Sequence, residues 1–148
     1  GQTVIAGHAA GVSRAQAALK EKGAKRVMPL PVSAPFHCAL MEPVKARLAA
    51  VLEDVSVRTL AIPVVANVDA VANTDPERIK GLLIYQVVAP VRFTEIAEAM
   101  LAADVSTFVE VGPGKTLVGI IKRMDRAKQY LNVDSSQSLD ATAAALAG

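Results

Sequence analysis

Residues 107–124 read TFVEVGPGKTLVGIIKRM, and this stretch decides the fold class. Its first five residues, Thr107–Val111, are mostly β-branched or aromatic, which predicts a strand. Gly112-Pro113-Gly114 predicts a tight turn, and Lys115–Met124 reads as a helix. A strand that leads through a short turn into a helix is a building block of α/β proteins.

The same alternation extends along the rest of the chain. Ser13 is the predicted N-cap and Gly23 the C-cap signal of the first helix. Segment 25–32 is predicted to be extended but outside a central strand, because Pro29 and Pro31 cannot donate to a sheet. Residues 33–38 form a predicted loop and 73–75 a turn. The remaining predicted strands cover 3–6, 62–68 and 131–133, and the remaining helices cover 15–22, 44–55 (opened by Pro43), 76–88, 91–103 and 139–146.

The composition narrows the class of protein. Apolar residues make up 52% of the 148 residues and aromatic residues only 3%, so the core is predicted to be aliphatic. The net charge is +2 and there is no basic tract with interleaved aromatics, which argues against a nucleic-acid partner. No apolar run reaches the length of about 18 residues that a membrane span needs. Cys38 is the single cysteine, so no internal disulfide is expected and a reducing, cytoplasmic setting is predicted.

Residues 31–41, PVSAPFHCALM, hold the candidate catalytic residue. Two prolines bracket an extended loop, and His37 ends it just before a predicted helix. A histidine held on a rigid loop can act as a general base, because its pKa lies near neutrality. A lone histidine is more often an ordinary surface or core residue, so these residues alone leave both interpretations open.

Five blocks of the chain resemble, in order, the malonyl-CoA:acyl carrier protein transacylases. They are VIAGH (4–8), PVSAPFHCALM (31–41), PVVANVD (63–69), Q-x-x-x-PVRF (86–93) and VEVGPGK (109–115). The resemblance implies the C-terminal part of an α/β hydrolase-like acyltransferase. Residues 1–32 would belong to an inserted ferredoxin-like small subdomain, and residues 33–148 to the large subdomain.

This family transfers a malonyl group in fatty acid biosynthesis, from malonyl-CoA to the phosphopantetheine thiol of acyl carrier protein. The resemblance implies that His37 is the base that activates a serine nucleophile. It also implies that the backbone carbonyl of Gln86 orients the His37 ring. The substrates would be a coenzyme A thioester and phosphopantetheinylated acyl carrier protein, with no cofactor and no metal.

Two further roles remain open between alternatives. Phe36 resembles the bulky residue of malonyl-selective members, where it would crowd the position of an α-methyl group, or it simply packs the loop. Lys25 and Arg26 form a small basic group that could dock the acidic carrier protein. The alternative is an ordinary solvated face.

The serine nucleophile of the family is missing from this chain. The family places it in a G-H-S-x-G turn, and the nearest string, residues 7–11, has Ala9 at the serine position. Cys38 is interpreted as a spectator thiol. Residues 112–116 end in G-K-T but lack the spacing of a phosphate-binding loop. The family's malonyl-binding arginine and oxyanion-hole amides have no counterpart either.

The chain begins at Gly1 without a methionine, so we expect it to come from the interior of a longer polypeptide. We also expect this chain to be inactive on its own. Its predicted partners are acyl carrier protein and either a missing N-terminal half or a second copy of the chain. The alternatives are an inactive proteolytic fragment, a polyketide synthase acyltransferase domain with another acyl unit, and a module that only docks the carrier protein.

Overall fold

The computed structural model of the chain describes residues 2–147, which form two compact units that meet in sequence between Phe93 and Thr94. Both helices and strands occur, which confirms the α/β prediction. A 3₁₀ turn covers Ala39–Met41. The other elements are α1 (Ala9–Glu21), α2 (Glu42–Glu53), β1 (Val64–Val65), β2 (Ala72–Asn73), α3 (Pro76–Gln86), α4 (Phe93–Ala102), β3 (Thr107–Val111), α5 (Thr116–Met124), β4 (Gln129–Val133) and α6 (Ser136–Ala147).

The first helix begins earlier than predicted. α1 starts at Ala9, with His8 at the N-cap position, so the prediction of Ser13 as N-cap was wrong. Two alanines, the strongest helix formers, extend the helix toward its N-terminus. The predicted end of this helix at Gly23 is confirmed. Gly23 has a φ of 86°, and the Gly23 and Ala24 amides donate to the carbonyls of Lys20 and Leu19, which is a Schellman motif.

The predicted strands of the first unit are mostly absent. Residues 3–6 form no strand, and residues 62–68 supply only β1, which pairs antiparallel with β2. The chain reverses within residues 66–71, where Ala70 has a φ of 57° and the Asp69 side chain accepts the Val71 amide. This reversal ends the strand and places Asn73, predicted in a turn, in β2.

Helices α2 and α3 pack against each other and form the support of the candidate site. Each begins with a proline in its first turn, as predicted for Pro43 and Pro76. The Asp75 side chain caps α3 by accepting the Glu77 amide. The Lys80 ammonium donates to the Glu53 carbonyl at 3.2 Å, which ties α3 to the end of α2.

The second unit is built on two parallel strands in register, from Thr107 opposite Gln129 to Val111 opposite Val133. β3 has the predicted bounds, whereas β4 begins two residues before the predicted 131–133. Helix α5 packs on both strands and α6 packs on β4. The rings of Phe108 and Tyr130 stack on one face of this sheet, with centroids 5.6 Å apart.

The other face of β3 is open. Phe108 is 6% exposed, whereas Val109 is 37% and Val111 is 79% exposed. Parallel strands are usually covered on both faces, so this surface lacks a layer that such sheets normally have.

Candidate active site

The backbone at His37 is unusual for a residue with a side chain. His37 follows the loop of Phe36 and lies just before the 3₁₀ turn, and its φ is 61°. The left-handed region costs a non-glycine residue roughly 1–2 kcal/mol. The turn therefore fixes the direction of the exposed ring at an energetic cost.

The structure brings together the predicted base and the residue predicted to orient it. Nδ1 of His37 lies 3.1 Å from the backbone carbonyl oxygen of Gln86, 49 residues away. When Nδ1 carries the proton and donates to this oxygen, Nε2 is the nitrogen left to accept a proton. This arrangement is what a general base needs.

The side chain of Gln86 also approaches the ring, which the sequence interpretation did not anticipate. Its Nε2 lies 3.3 Å from Nδ1 of His37 and 3.4 Å from the carbonyl oxygen of Ala89. The backbone carbonyl and the side-chain carboxamide of Gln86 therefore both lie within hydrogen-bond distance of the same ring nitrogen. No sequence signal marks this side-chain contact.

An apolar cavity of about 290 Å³ adjoins His37. Phe36, the predicted selectivity residue, is 48% exposed and lines this cavity, so it contacts the space beside the candidate base. The remaining lining residues come from the 3₁₀ turn, α2, α3 and the residue that follows α3; they are Met41, Val44, Leu83, Gln86 and Val87.

The other candidate residues lie apart from this arrangement. The thiol of Cys38 is half-buried and donates to the Pro35 carbonyl at 3.1 Å. Lys25 and Arg26 are exposed in the irregular segment after α1. Within residues 2–147, no serine hydroxyl hydrogen-bonds to His37, and no group of three or more potential metal ligands comes together. No helix of this part of the chain is long and apolar enough to cross a bilayer.

The glycines of the turn before α5 have a conformational role. Gly112 and Gly114 have φ values of 143° and 88°, which side chains disfavour. The Glu110 carboxylate accepts the amides of Leu117 and Val118, so a protein anion already occupies the helix start where a phosphate would bind. The carboxamide nitrogen of Asn132 lies within hydrogen-bond distance of the carbonyl oxygens of Glu110, Gly112 and Gly114, which share its two N–H donors.

Comparison with known proteins matches the chain to one kind of enzyme. The malonyl CoA-acyl carrier protein transacylase of Haemophilus influenzae is 46% identical over 141 residues, which cover 95% of this chain. The acyl-carrier-protein S-malonyltransferase of Bartonella henselae matches 96% of the chain with a TM-score of 0.89 and 38% identity. This chain matches part of a malonyl-CoA:acyl carrier protein transacylase.

The match covers less than half of each transacylase, 45% of the Haemophilus protein and 45% of the Bartonella chain. A third transacylase was solved in complex with a type II polyketide synthase acyl-carrier protein; it matches 90% of this chain and 43% of its own, with a TM-score of 0.84 and 41% identity. No family model matches the chain. The resemblance stated from the five sequence blocks is confirmed.

Proposed function

We propose that this chain supplies the general base of a malonyl-CoA:acyl carrier protein transacylase. The observation that carries the proposal is the contact of His37 Nδ1 with the Gln86 carbonyl, which leaves Nε2 to act. A neutral carbonyl can fix the tautomer of a histidine without a carboxylate. The names of the relatives specify malonyl transfer, so a different acyl unit is not favoured.

The proposed reaction has two balanced halves. His37 takes the proton of a serine hydroxyl while the serine oxygen attacks the thioester carbonyl of malonyl-CoA, and the imidazolium returns that proton to the departing coenzyme A thiolate. In the second half, His37 takes the proton of the phosphopantetheine thiol, the sulfur attacks the malonyl-serine ester, and the serine oxygen regains the proton. No step requires a metal or a redox cofactor.

The serine would come from polypeptide that corresponds to the unmatched half of the relatives. The exposed apolar side chains support such a companion, because Ile62 is 76% and Val111 is 79% exposed. Exposed apolar side chains are available to be covered by such a companion. In this proposal the assembled protein is α/β hydrolase-like, residues 1–32 belong to a ferredoxin-like subdomain, and residues 33–148 belong to the large subdomain. A second copy of the chain is the competing occupant of these surfaces.

Acyl carrier protein is the proposed protein partner and the cytoplasm the proposed location. The transacylase solved with its carrier protein supports the first of these. Lys25 and Arg26 are exposed, so they are available to an acidic partner. Phe36 is the proposed selectivity residue because it lines the cavity beside His37.

A chimera tests the proposed function. This chain would replace the matching 141-residue segment of the Haemophilus transacylase, and malonyl transfer to carrier protein would be measured. We expect transfer in the chimera and its loss in the His37→Ala chimera. A folded chimera without activity, or one that keeps full activity after His37→Ala, would contradict the proposal. The chain alone should show no malonyl adduct by intact mass after incubation with malonyl-CoA.

A further inference from the structure

We propose that the Gln86 carboxamide is a positioning residue that competes with the Gln86 backbone carbonyl for Nδ1 of His37, and so sets which ring nitrogen carries the proton. This inference rests on the proposed function only where it calls one tautomer of His37 the active base. The competition itself follows from three distances, 3.1 Å from Nδ1 to the backbone oxygen, 3.3 Å to the carboxamide nitrogen, and 3.4 Å from that nitrogen to the Ala89 oxygen.

The Ala89 carbonyl decides which end of the carboxamide faces the ring. Ala89 is 5% exposed, so its oxygen lies at a site with little access to water. A flipped carboxamide would place its oxygen against this oxygen with no proton between them. The carboxamide nitrogen therefore faces both Nδ1 of His37 and the Ala89 oxygen.

A neutral imidazole nitrogen either donates or accepts, so only one of the two groups of Gln86 can bind Nδ1 at a time. In one state, Nδ1–H donates to the backbone carbonyl and Nε2 is free to act as the base. In the other state, the carboxamide N–H donates to Nδ1, the proton resides on Nε2, and the ring cannot accept a proton there. The carboxamide can keep its second N–H on Ala89 in both states, so the two states have equal numbers of hydrogen bonds.

Protonation of the ring ends this competition. An imidazolium carries a proton on both nitrogens, so only the backbone carbonyl can bind Nδ1. The carboxamide thus stabilises the inactive Nε2–H tautomer of the neutral ring. It cannot donate a hydrogen bond to the imidazolium. Removal of its N–H groups is expected to enrich the base-competent tautomer.

The test is the tautomer of His37 in the chain itself, read from ring ¹⁵N chemical shifts above the histidine titration range. Gln86→Met keeps the length of the side chain and removes its N–H donors. We expect the ratio of the Nδ1–H to the Nε2–H tautomer to rise roughly 2- to 10-fold, the change that one net hydrogen bond produces. His8, exposed at the start of α1, is the internal reference and should not change.

Gln86→Glu is a second variant for the same test, in case Gln86→Met impairs folding. Its carboxylate can only accept, so it too should favour Nδ1–H. Gln137→Met, on the exposed surface of α6, is the matched control and should leave His37 unaltered. A wild-type ring already fully in the Nδ1–H form, or an unchanged ratio in a folded Gln86→Met variant, would overturn the proposal. The measurement uses no substrate, so its failure is distinct from failure of the chimera.

Discussion

The carbonyl oxygen of Gln86 is free to face His37 because the residue four positions later is Pro90. In an α-helix this oxygen would accept the amide of residue 90, and a proline has no amide hydrogen. Helix α3 ends at Gln86, and the amides of Val88 and Ala89 donate to the Tyr85 carbonyl. The proline thus leaves an unsatisfied carbonyl at the end of the helix, and the ring of His37 satisfies it.

Replacement of Pro90 is expected to loosen this pairing. In Pro90→Ala, the new amide can donate to the Gln86 carbonyl, so the carbonyl is shared and the Nδ1–H tautomer of His37 should decrease. Ring ¹⁵N shifts measure the change. Pro76→Ala is the control, because a first-turn proline of α3 lacks only an amide that has no helical partner anyway. An identical His37 spectrum in Pro90→Ala would show that the proline does not position the ring.

The backbone of His37 gives a prediction about stability. His37→Gly should be more stable than His37→Ala by about 0.5–1 kcal/mol, because the gain from relief of left-handed strain exceeds the entropic cost of glycine. Both variants lack the ring, so their difference isolates the backbone. Urea unfolding followed by circular dichroism measures it. Ala34→Gly, in the same loop without a positive φ, should instead lose about 0.4–1 kcal/mol, because glycine raises the conformational entropy of the unfolded chain.

The Glu110 carboxylate is expected to stabilise the start of α5. Glu110→Ala removes the acceptor of the Leu117 and Val118 amides and should cost about 1–2 kcal/mol in the free energy of unfolding. Glu110→Gln keeps one acceptor oxygen, so its cost should be smaller. Glu98→Gln, on the exposed side of α4, should change the stability by less than about 0.5 kcal/mol. Equal effects of Glu98→Gln and Glu110→Ala would refute the capping role.

The ion pair of Asp104 and Lys128 predicts a pH dependence. The hydrogen bond from Lys128, at 2.8 Å, and then its charge lower the pKa of Asp104. A lowered carboxyl pKa contributes stability above the unfolded pKa of about 3.9, and this contribution is lost as the pH falls through the folded pKa. Asp104 is exposed, so the contribution is small. In Lys128→Met, the pKa of Asp104 measured by NMR should rise, and the stability difference from wild type should vanish in acid. An unshifted Asp104 titration would contradict this.

The open face of β3 predicts self-association of the isolated chain. Within residues 2–147, β3 pairs only with β4, and Val111 is 79% exposed. A strand that is paired along one edge only can pair along its other edge with a second copy of the chain. Val111→Lys should therefore lower the association constant in sedimentation velocity, whereas Gln137→Lys adds the same charge on α6 and should not. A monodisperse monomer of the unmodified chain would refute the prediction.

The sequence alone was sufficient for features fixed by neighbouring residues. Pro43 and Pro76 marked helix starts, and Gly23 marked a helix end, because backbone sterics act over a few positions. The strand–turn–helix unit of residues 107–124 was predicted almost to the residue. Residues 3–6 failed as a strand because a strand requires a partner, and β propensity says nothing of where the partner lies.

For the candidate site, the sequence determined the residue types and the family resemblance. The motif Q-x-x-x-P even carried the reason for a free carbonyl at Gln86, since the proline four residues later removes its helical donor. Only the tertiary structure decided that this carbonyl meets a ring 49 residues away, and that the Gln86 side chain reaches the same nitrogen. Contacts of this kind depend on the packing of α2 on α3 and on the left-handed turn at His37, which no local pattern of residues specifies.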